Sequence, residues 1–215
     1  MMEGLFVYKI TPNSVLQNLM EDITQIRYLS KGKRSIVLKG TYKKNAVAIK
    51  VLNNTTTAIA TIDRESENLK FVNTLGIGPM FIAKKKNYVI MEFISGESLQ
   101  NFSTHASKEE LRRVLLEVLL QCHQLDLAQF QKEEMTRPYK HVIIGESVTL
   151  IDFEKGYSTK KPSNVTQFLQ FLHASKFSAL LKSRFNCFFS REKLSALAKE
   201  YDFDAIKMYL IYILS

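Results

Sequence analysis

Residues 46–51 read Ala-Val-Ala-Ile-Lys-Val and place one lysine inside an apolar run that predicts a β-strand. Successive side chains of a strand point to opposite faces, so Lys50 shares a face with Ala46 and Ala48, and the larger aliphatic residues point the other way. A cation flanked by small side chains leaves room for a flat ligand. The same pattern is also typical of an edge-strand lysine whose ammonium reaches water. Lys50 is therefore the first candidate site residue.

The segments around this run predict a strand-rich first half. Hydrophobic periodicity separates strands from helices, and glycine or polar pairs mark the turns. The expected elements are a helix over 13–27, a hairpin formed by 36–38 and 46–51 around a turn at 43–45, a helix over 58–75 ended by Gly76, and a strand over 88–94.

The second half has a helical pattern with one small hairpin. Ser107 and Glu110 form a capping box that opens a strongly amphipathic helix. A hairpin is expected over 142–151, and the chain from Pro162 onward is helical by pattern. The fold class predicted is α+β and bilobal. Its expected parts are a helical N-terminal extension over 1–26, a β-rich first lobe over 27–94 and a reduced helical second lobe over 95–215.

Composition excludes several classes of protein. The 215 residues include 46% hydrophobic side chains, typical of a globular chain, and only two cysteines, too few for a disulfide framework. The longest apolar stretch, 208–214, is too short to cross a bilayer, and nothing at the N-terminus resembles a signal peptide. These features predict a soluble, cytoplasmic protein without a membrane partner.

The net charge of +9 is unevenly distributed. Residues 1–92 carry +7 and residues 93–215 carry +2, and the window 31–50 holds seven basic side chains and no acid. A basic block of this kind is typical of a solvated face or of a nucleic-acid surface. A polyphosphate site is the sharper alternative.

Three acidic positions are candidates for chemistry. Glu65 lies on the inward stripe of its predicted helix, where a carboxylate is costly unless it is paired, and Lys50 is the available partner. Asp152 ends an apolar strand, where it suits either a cation ligand or a turn. The third is the pair Glu133 and Glu134 in the loop after the capped helix, where paired acids are also commonly solvated.

These residues follow one another in the order of the protein-kinase signature set. The chain resembles the small atypical kinases of archaea, including the RIO type and predicted serine/threonine kinases, over about residues 27–175. The motifs that carry the resemblance are Gly32-x-x-Ser35-x-Val37, Val47-Ala48-Ile49-Lys50, Glu65-x-x-Asn68-Leu69, Met91-Glu92-Phe93-Ile94 and Ile151-Asp152-Phe153-Glu154, with the runs 76–79, 137–142 and 162–166.

The resemblance implies ATP and Mg²⁺ (or Mn²⁺) as cofactors. It implies that Lys50 contacts the α- and β-phosphates and is held by Glu65, and that Asp152 holds the metal, with His141 and Glu154 as further candidates. Glu134 is implied as the residue that orients the acceptor hydroxyl. The residues implied to bind the nucleotide are Gly32, Ser35, Val37, Ala48, Lys50, Glu65, Met91, Glu92 and Ile94.

The chain departs from the kinase pattern at several positions. Ser30 and Ser35 stand where loop glycines are expected, Glu134 replaces the catalytic aspartate, and Tyr139 occupies the place of a metal-binding asparagine. Glu154 replaces the glycine of the Asp-Phe-Gly motif. Only nine residues separate Asp152 from Pro162, too few for a long activation segment.

The expected function is an ATP-dependent phosphotransferase, an atypical serine/threonine protein kinase whose protein substrate the sequence does not identify. Two alternatives remain open: an ATP-binding pseudokinase or scaffold, and a small-molecule kinase of the same fold. A nucleic-acid or ribonucleoprotein contact through the basic first lobe is a further expectation. The lysine triplet at residues 84–86 is either part of this nucleic-acid-binding surface or a solvated hairpin turn.

Overall fold

The computed structural model describes residues 13–32, 34–52, 59–186 and 190–215. Residues 1–12 of the expected N-terminal extension, Lys33 of the basic block and Ala58, the expected start of the second helix, lie outside them. The chain divides into two compact units. The first comprises the described residues up to Ile94 together with Asp152–Lys155, and the second comprises Ser95–Ile151 and Gly156–Ser215.

The first unit is built on a five-stranded antiparallel sheet with the strand order β1-β2-β3-β5-β4. Two helices accompany it, one before the first strand and one between the third and fourth. The elements are α1 (Asn13–Asp22), β1 (Ile23–Lys31), β2 (Ser35–Tyr42), β3 (Asn45–Leu52), α2 (Ile59–Asn73), β4 (Phe81–Lys85) and β5 (Tyr88–Glu92).

The predicted hairpin is present as β2 and β3. Lys43 and Lys44 form its two-residue turn with φ of 47° and 70°, the left-handed pair of a type I′ turn, whose twist matches that of the two strands. Because the register of such a hairpin follows from its turn, Val37 lies opposite Lys50 and Lys39 opposite Ala48.

One face of this sheet forms the core of the first unit. Apolar side chains from all the inner strands point to that face, and α1 covers it. Val15 and Leu19 of α1 are four residues apart, so they lie on one side of the helix and pack together against the strands. The buried residues of this cluster are Val15, Leu19, Ile23, Ile36, Leu38, Val47, Ile49, Val51, Tyr88 and Ile90.

Several element boundaries differ from the predicted ones, and the helix expected to reach residue 75 ends at Asn73. The helix expected over 13–27 ends at Asp22, because the chain from Ile23 onward pairs with β2, and sheet hydrogen bonds outweigh the weak helical periodicity of that segment. The strand expected to reach Ile94 ends at Glu92. Strand β4 was not predicted, and it contains Lys84 and Lys85 of the lysine triplet.

The second unit is mainly helical, as the sequence predicts. The capping box is confirmed, because the Ser107 hydroxyl accepts from the Glu110 amide and the Glu110 carboxylate accepts from the Ser107 amide. The predicted 142–151 hairpin is also present. The elements are β6 (Glu97–Ser98), α3 (Leu99–His105), α4 (Lys108–Leu127), β7 (Phe130–Gln131), a 3₁₀ turn (Pro138–Lys140), β8 (Val142–Ile144), β9 (Val148–Leu150), β10 (Tyr157–Ser158), α5 (Asn164–His173), α6 (Ser175–Phe185), α7 (Arg191–Glu200) and α8 (Phe203–Ile213).

Within the described ranges, the helices lack the combination of length and apolarity that a bilayer-spanning helix needs. This agrees with the short apolar stretches of the sequence.

Gly78 makes a close contact that depends on its lacking a side chain. Its φ is +78°, and a Cβ there would lie 2.8 Å from Cε2 of Phe153. Gly76 has a similar φ of +71° but open space around it. We expect Gly76→Ala to lower the free energy of unfolding by about 1 kcal/mol through backbone strain alone. Gly78→Ala should lower it by a further ~1–3 kcal/mol, because the new methyl group displaces the ring. Urea unfolding of both variants checks this, and equal losses would contradict the packing described for Phe153.

Candidate active site

Lys50 lies at the centre of a cluster of charged side chains in the first unit. Its Nζ is 2.8 Å from Oε2 of Glu65, 2.9 Å from Oδ1 of Asp152 and 2.9 Å from Oε2 of Glu154. The predicted pairing of Glu65 with Lys50 is confirmed. Three carboxylates and one ammonium carry a formal net charge of −2.

Burial makes this cluster electrostatically strong. Lys50 is 6% exposed and Glu65 is 1% exposed. Burial acts to lower the pKa of Lys50, but the carboxylates of Glu65, Asp152 and Glu154 outweigh it, and the pKa lies above its ordinary value. Burial raises the pKa of Glu65, and the ammonium of Lys50 opposes that change. Lys50 is therefore a fixed positive charge at neutral pH.

Helix α2 holds the Asp152–Glu154 segment by the backbone of Phe153. The Phe153 amide donates to Oε1 of Glu65 at 3.2 Å, and Nδ2 of Asn68 donates to the Phe153 carbonyl at 2.6 Å. Glu65 and Asn68 are three residues apart and share one side of the helix. The ring of Phe153 is fully buried. Both backbone polar groups of Phe153 and its ring are thus fixed, with an acid on either side of this residue in the chain.

Asp152 has a backbone conformation that is uncommon for a residue with a side chain. Its φ is +66°, in the left-handed region. Such a conformation persists where surrounding contacts impose it. Here the neighbouring Phe153 is held at its amide and at its carbonyl. The consequence is local: Asp152 and Glu154 both direct a carboxylate oxygen at the same ammonium.

The strand register places the predicted nucleotide-binding residues of the sheet on the Lys50 face. Val37 lies opposite Lys50, and Met91 lies opposite Ala48. Side chains directly opposite in an antiparallel pair share a face, and Ala48 shares one with Lys50 by alternation. Ser35 has the same parity on β2. This face therefore carries Val37, Ala48 and Met91 beside the cation, with Lys39 opposite Ala48, and it is the face opposite to the α1-covered core.

The turn that was expected to resemble a phosphate loop is short. The Gly32 amide donates to the Ser35 carbonyl at 2.8 Å, which closes the turn between β1 and β2. A Cβ at Gly32 would come no nearer than 3.5 Å to another residue's atoms, so this turn does not require glycine. Ser35 is buried, whereas Gly32 is exposed.

Residues 92–94 end the sheet of the first unit. The Glu92 amide donates to the Met80 carbonyl at 2.9 Å, and the Glu92 carboxylate accepts from the Met80 amide at 3.1 Å. Nζ of Lys39 lies 3.8 Å from the centroid of the Phe93 ring, in a cation–π contact. Ile94 is half-buried.

Glu134 and His141, predicted for catalysis and metal binding, belong to the second unit. His141 Nε2 is 3.2 Å from Glu134 Oε2. Glu134 has φ of +74°, a second candidate acid in the left-handed region. His141 is half-buried, and its carbonyl accepts from the Ile151 amide at 2.9 Å. The two side chains form a local acid–imidazole pair.

A buried polar network supports the loop that precedes Glu134. Asn164 Oδ1 accepts from the Lys132 amide at 2.7 Å, and Asn164 Nδ2 donates to the Phe130 carbonyl at 2.7 Å. Asp126 in turn accepts from the amide and the side chain of Asn164 and from the Tyr201 hydroxyl. The sequence patterns assigned no role to Asp126, Asn164 or Tyr201. A signal existed for Asp126, since it continues the buried stripe of α4 four residues after Cys122.

Among the described residues of the first unit, Glu65, Asp152 and Glu154 form a group able to hold a cation. One oxygen of each lies within 4.8 Å of the others. Carboxylate oxygens are the donors that Mg²⁺ and Mn²⁺ prefer, so this donor set fits the metal implied by the kinase resemblance.

No protein-family model and no curated protein matches this sequence. Comparison with solved structures finds a crystal structure described as the kinase domain of PF14_0431, with a TM-score of 0.56 and 16% sequence identity. The match covers 66% of this chain and 53% of that chain, so this chain spans about half the length of the matched one. At this identity the likeness shows the fold alone.

The predicted α+β, protein-kinase-like fold class is therefore confirmed. It is carried by a five-stranded antiparallel sheet in the N-terminal part and by helices in the C-terminal part. The narrower resemblance to RIO-type and archaeal kinases stays a prediction.

The contact between Asn68 and Phe153 leads to a stability prediction. Asn68→Ala removes the donor to a carbonyl beside a fully buried ring, and we expect the free energy of unfolding to fall by about 1–3 kcal/mol. Asn101→Ala, at an exposed helical position, is the matched control and should change it by less than about 0.5 kcal/mol. Urea unfolding compares the two. Equal small losses would show that Asn68 does not hold the segment.

Proposed function

We propose that this chain is an ATP-dependent phosphotransferase, an atypical serine/threonine protein kinase that transfers the ATP γ-phosphate to a hydroxyl group. The observation that carries the proposal is the buried Lys50–Glu65 ion pair at 2.8 Å, with Asp152 and Glu154 on the same ammonium. In a kinase-like fold, a strand lysine held by a helix glutamate beside a metal-binding aspartate is the arrangement that phosphoryl transfer uses.

Lys50 is proposed to bind the α- and β-phosphates, with Glu65 orienting its ammonium. The part of this face formed by Val37, Ala48 and Met91 would take the flat adenine ring, because these three side chains are small or apolar. Gly32 and Ser35 of the β1–β2 turn are proposed to approach the phosphates. The backbone at Glu92 and Ile94 is proposed to bind the adenine edge.

Asp152 is proposed as the main metal ligand, with Glu154 as a second oxygen donor. The bound Mg²⁺ or Mn²⁺ supplies neutralisation of the phosphate charge. His141 was the other candidate ligand. An imidazole nitrogen is a poor donor for Mg²⁺. The contact of His141 with Glu134 supports a different role for His141, which is to fix the orientation of the Glu134 carboxylate.

Glu134 is proposed to orient the acceptor hydroxyl by accepting its hydrogen bond. Positioning of this kind depends on a fixed backbone. The Asn164 contacts with Phe130 and Lys132 support it by anchoring the loop two residues before Glu134.

Lys50→Ala and Asp152→Ala test the proposal directly. We expect each to reduce Mg²⁺-dependent transfer of labelled γ-phosphate by at least about a hundredfold, because each removes a charge that acts on the transferring group. Glu67→Ala, on the exposed part of α2, is the control and should keep wild-type transfer. Autophosphorylation and transfer to a generic protein acceptor are the readouts.

The outcomes separate the alternatives. Mg²⁺-dependent nucleotide binding without any single-turnover transfer would identify a pseudokinase, and transfer confined to small alcohols would identify a small-molecule kinase. If γ-phosphate transfer persists in both Lys50→Ala and Asp152→Ala, the roles proposed for these two residues are wrong.

We also propose that the basic end of the sheet contacts nucleic acid. The register runs Lys31, Ile36, Val51, Tyr88 and Lys85 in one row across the five strands. Lys31 and Lys85 therefore lie about 19 Å apart at one end of the sheet, at ~4.8 Å per strand. Arg34 and Lys86 are exposed in the adjoining turns, and Lys84 pairs with Asp63.

Salt dependence tests this contact. For the double variant Lys85→Gln/Lys86→Gln, we expect the log–log slope of single-stranded RNA affinity against salt to become shallower by about 1–2. Lys176→Gln/Lys182→Gln, two exposed lysines of α6, has the same charge change and should leave the slope unaltered. RNA binding that is absent or insensitive to salt in the wild type removes the idea.

A further inference from the structure

The ammonium of Lys50 is surrounded by three carboxylate oxygens in this structure. A lysine ammonium has three N–H donors and no acceptor. Oxygens of Glu65, Asp152 and Glu154 lie within 2.9 Å of Nζ; those of Glu65 and Asp152 accept hydrogen bonds from it, and that of Glu154 forms an ion pair with it. A nucleotide phosphate that binds Lys50 directly therefore competes with three carboxylate oxygens that already lie around Nζ.

The three carboxylates differ in how firmly they are held. Glu65 is 1% exposed, and its second oxygen accepts from the Phe153 amide, so it is fixed at both oxygens. The Asp152 side chain is 35% exposed, but it is one bond shorter than that of a glutamate and its Oδ1 accepts a hydrogen bond from Nζ at 2.9 Å. The Glu154 side chain is 14% exposed and reaches Lys50 from the turn after Phe153. Glutamate has three rotatable side-chain bonds, so Glu154 can leave by rotation while the backbone stays in place.

The backbone around Glu154 is not free to move in the same way. Phe153 is clamped at its amide by Glu65 and at its carbonyl by Asn68, and its ring fills the space at Gly78. Rotation of the Glu154 side chain therefore removes one oxygen from Nζ without breaking a hydrogen bond of Nζ and without moving the backbone.

The position of Glu154 has a chemical consequence. Its carboxylate is an anionic oxygen group bound to the same ammonium that a phosphate oxygen would use. The formal charge of −2 on the cluster also repels a polyphosphate, and a divalent cation would cancel it. A cation that binds Asp152 and Glu154 would draw the Glu154 carboxylate away from Lys50. The same cation would reduce the repulsion between the acidic cluster and the phosphates.

We propose that Glu154 is an internal competitor of the nucleotide phosphates for Lys50, so that a divalent cation that binds first raises the affinity for the nucleotide. This inference rests on the proposed function and adds to it a control on the order of binding. Glu154, which replaces the glycine of the Asp-Phe-Gly motif, occupies the ammonium of Lys50 in the absence of the cation.

The test measures binding of a fluorescent ATP analogue by anisotropy, once in EDTA and once in Mg²⁺, for each variant. Glu154→Gln should raise the metal-free affinity about tenfold, since it weakens one charge-assisted contact to Lys50. Glu154→Asp keeps the charge but shortens the reach by one methylene. It should also raise the metal-free affinity, by about threefold or more.

Glu67→Gln is the matched control, because it removes one negative charge from an exposed position on α2. Its metal-free affinity should stay within about twofold of the wild type. Comparing EDTA with Mg²⁺ within each variant separates the effect from any loss of folded protein. In Glu154→Gln, the difference between the affinity for the analogue in EDTA and its affinity in Mg²⁺ should be smaller than in the wild type.

The inference is overturned if Glu154→Gln binds the analogue in EDTA as weakly as the wild type does. It is also overturned if Glu154→Gln gains affinity while Glu154→Asp does not, because the effect is then one of overall charge and not of contact. Either result leaves Mg²⁺-dependent binding by the wild type intact, and with it the proposed function. If the wild type does not bind the analogue in Mg²⁺ either, the proposed function fails together with this inference.

Discussion

The ion pair between Lys50 and Glu65 is the interaction on which the first unit depends. Taking two charges out of water costs several kcal/mol for each ion, and removal of one partner leaves the other buried and uncompensated. The cost is met only if the geometry is held. A central strand with a fixed register presents the lysine, and a helix whose apolar side is anchored by Ile62, Leu69 and Val72 presents the glutamate.

The same helix also fixes the segment that follows the second unit's hairpin in the chain. Glu65 uses one oxygen for Lys50 and the other for the Phe153 amide, so one carboxylate holds a strand and a remote loop together. Asn68 completes the hold at the Phe153 carbonyl. This explains why the short segment Asp152–Lys155 belongs to the first unit although its neighbours on both sides belong to the second. It also brings a third acid, Glu154, to the lysine.

The second unit solves a separate problem, which is how to hold an irregular loop. Backbone groups of a buried loop need partners, and here Asn164 supplies both an acceptor and a donor to the loop at Phe130 and Lys132. Asp126 satisfies the helix amides of Asn164 and Val165. Burial and the hydrogen bond to Asp126 raise the pKa of Tyr201, so its hydroxyl stays a donor. The network is therefore fully connected, as a buried polar cluster must be.

Much of the fold could be predicted because its signals are local. The hairpin of β2 and β3, the Ser107 capping box and the helical second half follow from alternation, turn residues and the 3.6-residue period. Strand β1 could not be predicted in this way, because its Ile23–Lys31 segment is a strand only by virtue of pairing with β2. The short strands β4, β7 and β10 likewise depend on a partner that periodicity does not reveal.

For the site, the sequence by itself determined that Lys50 stands in an apolar strand, that Glu65 stands on an inward helical stripe and that Asp152 ends a strand. A charge at a position where water is excluded is visible from the pattern alone. Only the tertiary structure decided that Glu154 shares Lys50 with the other two acids, that Asn68 holds Phe153, and that Asn164 anchors the loop before Glu134. These contacts join residues up to 104 positions apart in the sequence. They depend on side-chain reach and on the remaining hydrogen-bonding capacity of each group, and neither quantity is a property of a sequence neighbourhood.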